Sequence, residues 1–356
     1  MMRNPFFDFI KFSLGTAEWN RKLPSEDQWA YLYEQAQRQA LVGILFCGVE
    51  KMRQKMDGQL PPILIQWMGE TLAIEAQNKL TNQRTKEITA LFKLNGFRTC
   101  VLKGQGVAQL YPNPLRRQPG DIDLWVEGTR KSILDFVMTN FKIGHVVIHH
   151  VDTEVFSDVP VEIHFIPIWH YNRWNNKRLQ NYFKKCAEEQ FSNRDEQLGF
   201  ACPTLAFNAV YSLIHIFHHL LDEGVGLRQL VDYYYILHKL GDSDREQTLA
   251  ELRKYGLKRF AGAVMYVLQE VCGLDKSKML CLPDEKPGQY LLNEIMQTGN
   301  FGKYDERHQH RQPMMKRNWR VVKRLRHSLM YYPKEVFAIP TWKVWHWYWR
   351  KRHGYL

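Results

Sequence analysis

Gly120-Asp121-Ile122-Asp123-Leu124-Trp125-Val126 sets two carboxylates two residues apart within a run that otherwise reads as a buried strand. Side chains alternate along a strand, so Asp121 and Asp123 share one face while Ile122, Leu124 and Val126 point the other way into a core. Like charges this close repel, and a divalent cation between them removes the repulsion. The pattern is that of a Mg2+ site for phosphate chemistry. An edge strand with a solvated Asp-x-Asp face is the other reading of the same residues.

Working outward, Phe97 to Leu102 reads as a short strand that runs into Lys103-Gly104-Gln105-Gly106, with Val107 to Tyr111 opening a helix. Such a glycine turn lets backbone N–H groups approach a phosphate, and Lys103 adds a point charge. On the other side, Val159 to Phe165 alternates again. Val161, Ile163 and Phe165 fall on one face, Glu162 and His164 on the other, so a second strand offers a third carboxylate. His164, beside Glu162, is the histidine first expected in a site.

In this order, a glycine turn, an Asp-x-Asp strand and a later Glu-bearing strand resemble the polymerase-β-like nucleotidyltransferase superfamily. Leu102-Lys103-Gly104, Leu110-Tyr111-Pro112, Arg116 and Gly120-Asp121-Ile122-Asp123-Leu124 are similar, more narrowly, to an uncharacterised bacterial nucleotidyltransferase family with Lys-Gly in the first turn. The resemblance spans roughly residues 96 to 240. It implies that Asp121, Asp123 and Glu162 hold two Mg2+ ions, with Mn2+ as the substitute, and that an NTP, ATP first among them, is the donor. Glu162 would also help activate an acceptor hydroxyl. The superfamily's Gly-Gly or Gly-Ser is replaced here by Lys103-Gly104-Gln105, so Lys103, Gly104, Gln105 and Gly106 are the candidate phosphate contacts. Arg116, with Arg117, is a secondary one and an ordinary solvated loop the alternative. No Walker, Rossmann or protein-kinase signature is present.

The 356 residues are 45% apolar and 13% aromatic, enough for two or three domains with real cores. Six cysteines at irregular spacings, with no Cys-x-x-Cys, suggest neither a disulfide framework nor a cysteine zinc site, and a reducing cytoplasm is expected. The N-terminal Phe-rich run is broken by Asp8 and Lys11, unlike a secretion signal, and no run of 18 apolar residues is available to span a membrane.

The expected fold class is α+β, a small mixed-sheet nucleotidyltransferase core flanked by helical regions. Residues 1–95 form the N-terminal helical region, in which 25–56 and 62–95 have helical spacing and Ser25 with Gln28 suggests a capping box. Residues 96–166 form the catalytic core, with a helix over Thr129–Asn140 and a strand over Val146–His150. Residues 167–300 form a helical C-terminal domain, and 301–356 a basic, Trp-rich segment. Within the third region His215 and His219 share a helix face, with His218 beside them. A core or hydrogen-bonded face, a nucleotide or acceptor contact and zinc ligation are the three readings, and the family resemblance implies that Arg228 and Asp232 form a structural ion pair.

Charge is uneven. Residues 301–356 hold 14 of the 49 Lys and Arg but three of the 37 acids, so the net +12 belongs almost wholly to this segment. Arg317, Arg320, Lys323, Arg324 and Arg326 would share a helix with Trp319 and Leu325, and Trp342, Trp345, Trp347, Tyr348 and Trp349 precede Arg350-Lys351-Arg352. Cations interleaved with aromatics suit an anionic membrane surface or RNA; a helix packed by its Trp face with solvated cations is the plain alternative. The function expected is metal-dependent transfer of an NMP group to an unidentified acceptor, in the cytoplasm or at the membrane periphery. A catalytically silent protein of the same fold, binding a polyanion or membrane through its tail, is the competing reading.

Overall fold

The computed structural model describes residues 4–54, 56, 60–305 and 328–355. The cationic stretch from Arg317 to Arg326 lies outside them. The chain opens with α1 (Pro5–Leu14), α2 (Glu26–Arg38), α3 (Val42–Arg53) and the 33-residue α4 (Pro62–Leu94). The expected capping box is present, with the Ser25 hydroxyl accepting from the Gln28 amide and the Gln28 side chain accepting from the Ser25 amide. Residues 25–56 are nevertheless two helices. Ala40 takes a positive φ of 54°, and Gln39 is held by bonds from its amide to the Ile295 carbonyl (3.1 Å) and from the Leu227 N–H to its oxygen (2.9 Å). Tertiary contacts break a run that local spacing would continue.

Helix α4 carries a buried polar stripe. The Thr71, Thr81, Thr85 and Thr89 hydroxyls each donate to the carbonyl four residues back, which lets small polar side chains pack without orphaned groups. It runs along the sheet that follows. That sheet is built from β1 (Thr99–Leu102), β2 (Ile122–Val126), β3 (Ile143–Val146), β4 (His150–Thr153) and β5 (Val161–His164), in the order β1-β2-β5-β4-β3. The β2–β5 pair is parallel and the other pairs antiparallel, a mixed sheet. The short α5 (Gly104–Ala108) follows β1, and α6 (Arg130–Asn140, capped by Thr129) is the crossover after β2. The strand expected over Val146–His150 is instead a hairpin turn between β3 and β4: Val147 donates to the His150 carbonyl across it at 3.0 Å. The chain reverses there without glycine or proline to announce it.

One face of the sheet buries Val101, Ile122, Leu124, Val126, Val151, Val161 and Ile163 with Ile88 and Phe92 of α4 and Ile133, Leu134 and Val137 of α6. The alternation expected for 120–126 and 161–165 is what produces this layer. After β5 come α7 (Arg173–Ser192), a two-residue ladder of β6 (Arg194–Asp195) and β7 (Phe200–Ala201), α8 (Leu205–Asp222), α9 (Leu227–Lys239), α10 (Asp242–Lys254), α11 (Lys258–Val267) and α12 (Glu285–Thr298). These helices share one large apolar core with α1–α3, from Phe6, Phe9 and Trp29 to Phe217, Phe260, Leu268 and Ile295. The C-terminal helix, Pro333–Arg352, closes the described chain.

Candidate active site at the carboxylate face of the sheet

Strand register assembles the site. Asp123 of β2 stands directly beside Glu162 of β5, and Glu162 beside Asp152 of β4; two residues on, His164 stands beside His150. Adjacent carboxylates in one row destabilise a sheet unless other groups intervene, and imidazoles do. The His164 Nε2 lies 3.0 Å from Asp123 Oδ1 and 3.3 Å from Glu162 Oε2, and His150 reaches Glu162 at 3.3 Å and Asp152 at 3.1 Å. Burial alone would lower the His164 pKa, but its bonds to Asp123 and Glu162 hold the imidazole up at about 9. Burial acts to raise the Glu162 carboxyl, and the His164 bond overrides it, so Glu162 titrates below its ordinary range.

Lys103 completes the balance. Its Nζ sits 2.8 Å from Asp123 Oδ1, and Asp123 is only 2% exposed. To reach this position Lys103 adopts φ 51° and ψ −146°, a left-handed conformation that a residue with a Cβ pays for, commonly by about 1–3 kcal/mol. Gly104 follows at φ 42°, which glycine accepts freely. Backbone strain concentrated at the residue that carries the ammonium is what a functional site looks like. Burial opposes the charge on Lys103, and Asp123 foremost restores it, so the group stays protonated.

These groups line a cavity of about 430 Å3, walled by Lys103, Gly104, Asp121, Asp123, Glu162 and His164 on the sheet side and by Tyr211, His215, His219 and Arg228 on the helical side. The helical wall is set by α8 and α9. His215 and His219 do share a face, with Nε2 atoms 3.0 Å apart, and the third neighbour is the Lys103 ammonium, 3.1 Å from His215. An ammonium where a third ligand would stand is the reverse of a zinc site. Burial and the nearby Lys103 charge keep both imidazoles well below their ordinary pKa. His218 packs instead against Tyr171 and Trp169.

Arg228 and Asp232 do not pair. Asp232 is taken by Arg117, Nε to Oδ1 at 2.7 Å and Nη2 to Oδ2 at 2.8 Å, with the Tyr111 hydroxyl donating to Oδ1 at 2.6 Å. Arg228 donates from Nη1 to the Gln118 carbonyl (3.1 Å) and lies over the Phe301 ring, while its buried Nε has no partner among the described residues. Burial and the repulsion of Arg117 push its pKa down to about 10, which leaves it charged at neutral pH. A buried guanidinium at a cavity wall with one N–H left over is equipped for an anion.

The remaining expected contacts fall elsewhere. Gln105 is buried and donates to Asn82 Oδ1 at 2.6 Å, and Gly106 packs against Cys202, where an added Cβ would stand 2.9 Å from the sulfur. Neither lines the cavity. Helix α5 is five residues long, so its dipole is slight. Arg116 is also turned away. It pairs with Glu50 and, at 2.9 Å, Glu75, as part of the strap 113–120 that Asn78 pins by donating to the Leu115 and Arg117 carbonyls, both at 2.7 Å. Its role is to hold the segment that delivers Asp121. Sequence reasoning passed over His149, His150 and Tyr211; the paired histidines at 149–150 were the available signal.

The donor chemistry fits a divalent cation. Asp123, Glu162 and His164 offer ligand atoms all within 4.8 Å of one another, and so do His150, Asp152 and Glu162, and His149, His150 and His164. Asp121 lines the same cavity, outside these groups. Comparison with curated proteins finds no match. A family model described as uncharacterised nucleotidyltransferase matches residues 25–273, a span that includes the whole sheet, Lys103, the three carboxylates and both walls of the cavity except Phe301. Covering well over half of the chain, that match places the protein in the uncharacterised nucleotidyltransferase family.

Proposed function

We propose that the protein transfers an NMP group from an NTP, ATP first among the candidates, to a hydroxyl or phosphate acceptor, by the two-metal chemistry of the polymerase-β-like superfamily. The observation that carries this reading is the juxtaposition, across one cavity, of the Asp123–Glu162–His164 cluster and the buried Arg228 guanidinium, whose Nε is unsatisfied among the described residues. Asp121, Asp123 and Glu162 are the proposed holders of two Mg2+ ions, which when bound supply Lewis-acid stabilisation of the attacking and leaving oxygens. An imidazole in the donor set makes Mn2+ a strong substitute.

In the step itself, the acceptor oxygen bonds to the α-phosphorus and the α–β bridging P–O bond breaks, its electron pair leaving with pyrophosphate. The acceptor proton passes to Glu162, whose carboxylate is held ionised by His164. Lys103 and Arg228 supply fixed positive charge for the departing phosphates, the preorganised arrangement that makes electrostatic stabilisation effective. Tyr211 and the neutral His215 and His219 offer hydrogen bonds along the same wall.

A second reading is favoured by one contact. The Lys103–Asp123 pair already neutralises the carboxylate from within the protein, as expected of a fold that has lost catalysis and binds a partner through its basic, aromatic C-terminal segment. Thermal denaturation with each NTP, with and without Mg2+ or Mn2+, separates the two. A ligand at about 100 times its Kd stabilises by roughly 2.7 kcal/mol. A metal-dependent shift that disappears in Asp121→Ala/Asp123→Asn supports the enzyme; no shift with any NTP under either metal favours the silent fold.

A further inference from the structure

The C-terminal helix has two unlike faces. Its inner face is fixed to the body: Glu335 accepts from the Asn172 amide at 3.0 Å and from the Asn175 side chain at 2.8 Å, Val336 and Ile339 are buried, and Trp342 stacks on Trp169 with ring centres 5.3 Å apart. Trp349 lies under the Arg130 guanidinium at 4.8 Å. Trp169 is itself a wall residue of the cavity, so the helix lies beside the site.

The outer face is apolar and open. Phe337 and Val344 are each 69% exposed, Tyr348 58%, Trp347 53% and Trp345 49%. Positions 337, 344 and 348 recur at the seven- and four-residue spacings that align side chains along one helical ridge, about 17 Å long at 1.5 Å per residue, with 347 and 345 to either side. Exposed Lys334, Lys343, Lys351 and Arg352 border this ridge. The helix's one acid, Glu335, is turned inward and consumed. Among the described residues no helix is long and apolar enough to cross a bilayer.

We propose that this outer face docks on an anionic phospholipid surface. An aromatic and aliphatic ridge flanked by cations, with no exposed carboxylate, is the chemistry of a helix that lies in the headgroup plane: rings enter the acyl boundary and lysines meet lipid phosphates. RNA is the poorer fit. Phe337 and Val344 head the ridge 69% exposed, and an aliphatic valine provides no stacking platform of the kind single-stranded nucleic acid uses. The inner-face contacts set the orientation, so docking brings the cavity next to the membrane surface.

The test is co-sedimentation of the full chain with vesicles of phosphatidylcholine alone and of phosphatidylcholine with about one-third phosphatidylglycerol, at low and moderate salt. Binding is expected only to the anionic vesicles, weakening with salt. Phe337→Ser/Trp347→Ser/Tyr348→Ser is expected to reduce partitioning at least tenfold without altering the melting temperature. Lys343→Glu/Lys351→Glu, confined to exposed positions, provides a second variant with the same expected loss. No binding to anionic vesicles, binding unchanged in both variants, or retention on single-stranded RNA that exceeds retention on vesicles would overturn the proposal. None of these readouts uses nucleotide, so the result stands apart from the fate of the enzymatic reading.

Discussion

Replacing Asp232 by Asn tests whether the strap before β2 is locked by charge. Asp232 and Arg117 are both buried, 9% and 4% exposed, and make two bonds of 2.7 and 2.8 Å. With charge centres about 4 Å apart and an effective dielectric near 20, the attraction is roughly 4 kcal/mol, and breaking such a pair commonly costs about 3–5 kcal/mol because the surviving charge is left uncompensated. The Asn variant keeps the shape and an acceptor for Tyr111, so the loss expected is that of the charge alone. Urea denaturation followed by tryptophan fluorescence should show about 3–5 kcal/mol lost in Asp232→Asn and a similar loss in Arg117→Met. Arg117→Met/Asp232→Leu, combined with Tyr111→Phe to remove the stranded hydroxyl, should recover most of it, giving a coupling energy above about 2 kcal/mol. An Asp232→Asn loss below about 1 kcal/mol, or losses that simply add, would refute the argument that this pair holds the strap.

Two further perturbations concern the helical body. Gly226 precedes α9, and a Cβ there would stand 2.8 Å from the Asn300 backbone, so Gly226→Ala should cost about 1–3 kcal/mol in the same urea assay. At Glu335, burial acts to raise the carboxyl, but the nearby His170 together with the bonds from the Asn172 amide and the Asn175 side chain outweighs it, and the folded pKa lies below the ordinary 4.5. Its stabilisation is therefore complete above the unfolded value and is lost as pH falls from about 4.5 through the folded pKa; a pH series of urea midpoints should show this decline, and Glu335→Gln should flatten it.

The elements legible in the sequence were those fixed by local periodicity. Alternation at 120–126 and 161–165 marks the two central strands and points to Asp123, Glu162 and His164, and the helix expected over Thr129–Asn140 begins with Thr129 as its cap. What was not legible depends on distant partners. Gln39 ends α2 through bonds to residues 227 and 295, and no glycine or proline marks the break. The β3–β4 turn at Val147–His149 likewise has no turn residue, so an apolar run read as a strand. Asp232 chose Arg117 over the helical neighbour Arg228, and Arg116 chose Glu50 and Glu75 over the cavity, because spacing reports which side chains share a face and not which segment will be folded against them.

The core shared by the first and last helices bears on how the chain is made. Thr16 bonds the Cys272 carbonyl at 2.8 Å, and α1 packs against the turn of helix just before that residue. At a synthesis rate of about 5–20 residues per second, the partner emerges roughly 13–50 s after Thr16. Throughout that interval Phe6, Phe9 and Ile10 have nowhere to be buried but against α2 to α4, and the sheet forms in the middle of an unfinished shell. The nascent chain thus leaves the side of α1 that meets residues 268–272 uncovered for tens of seconds, the state that chaperones recognise, and a chain that ended before those residues would never cover it.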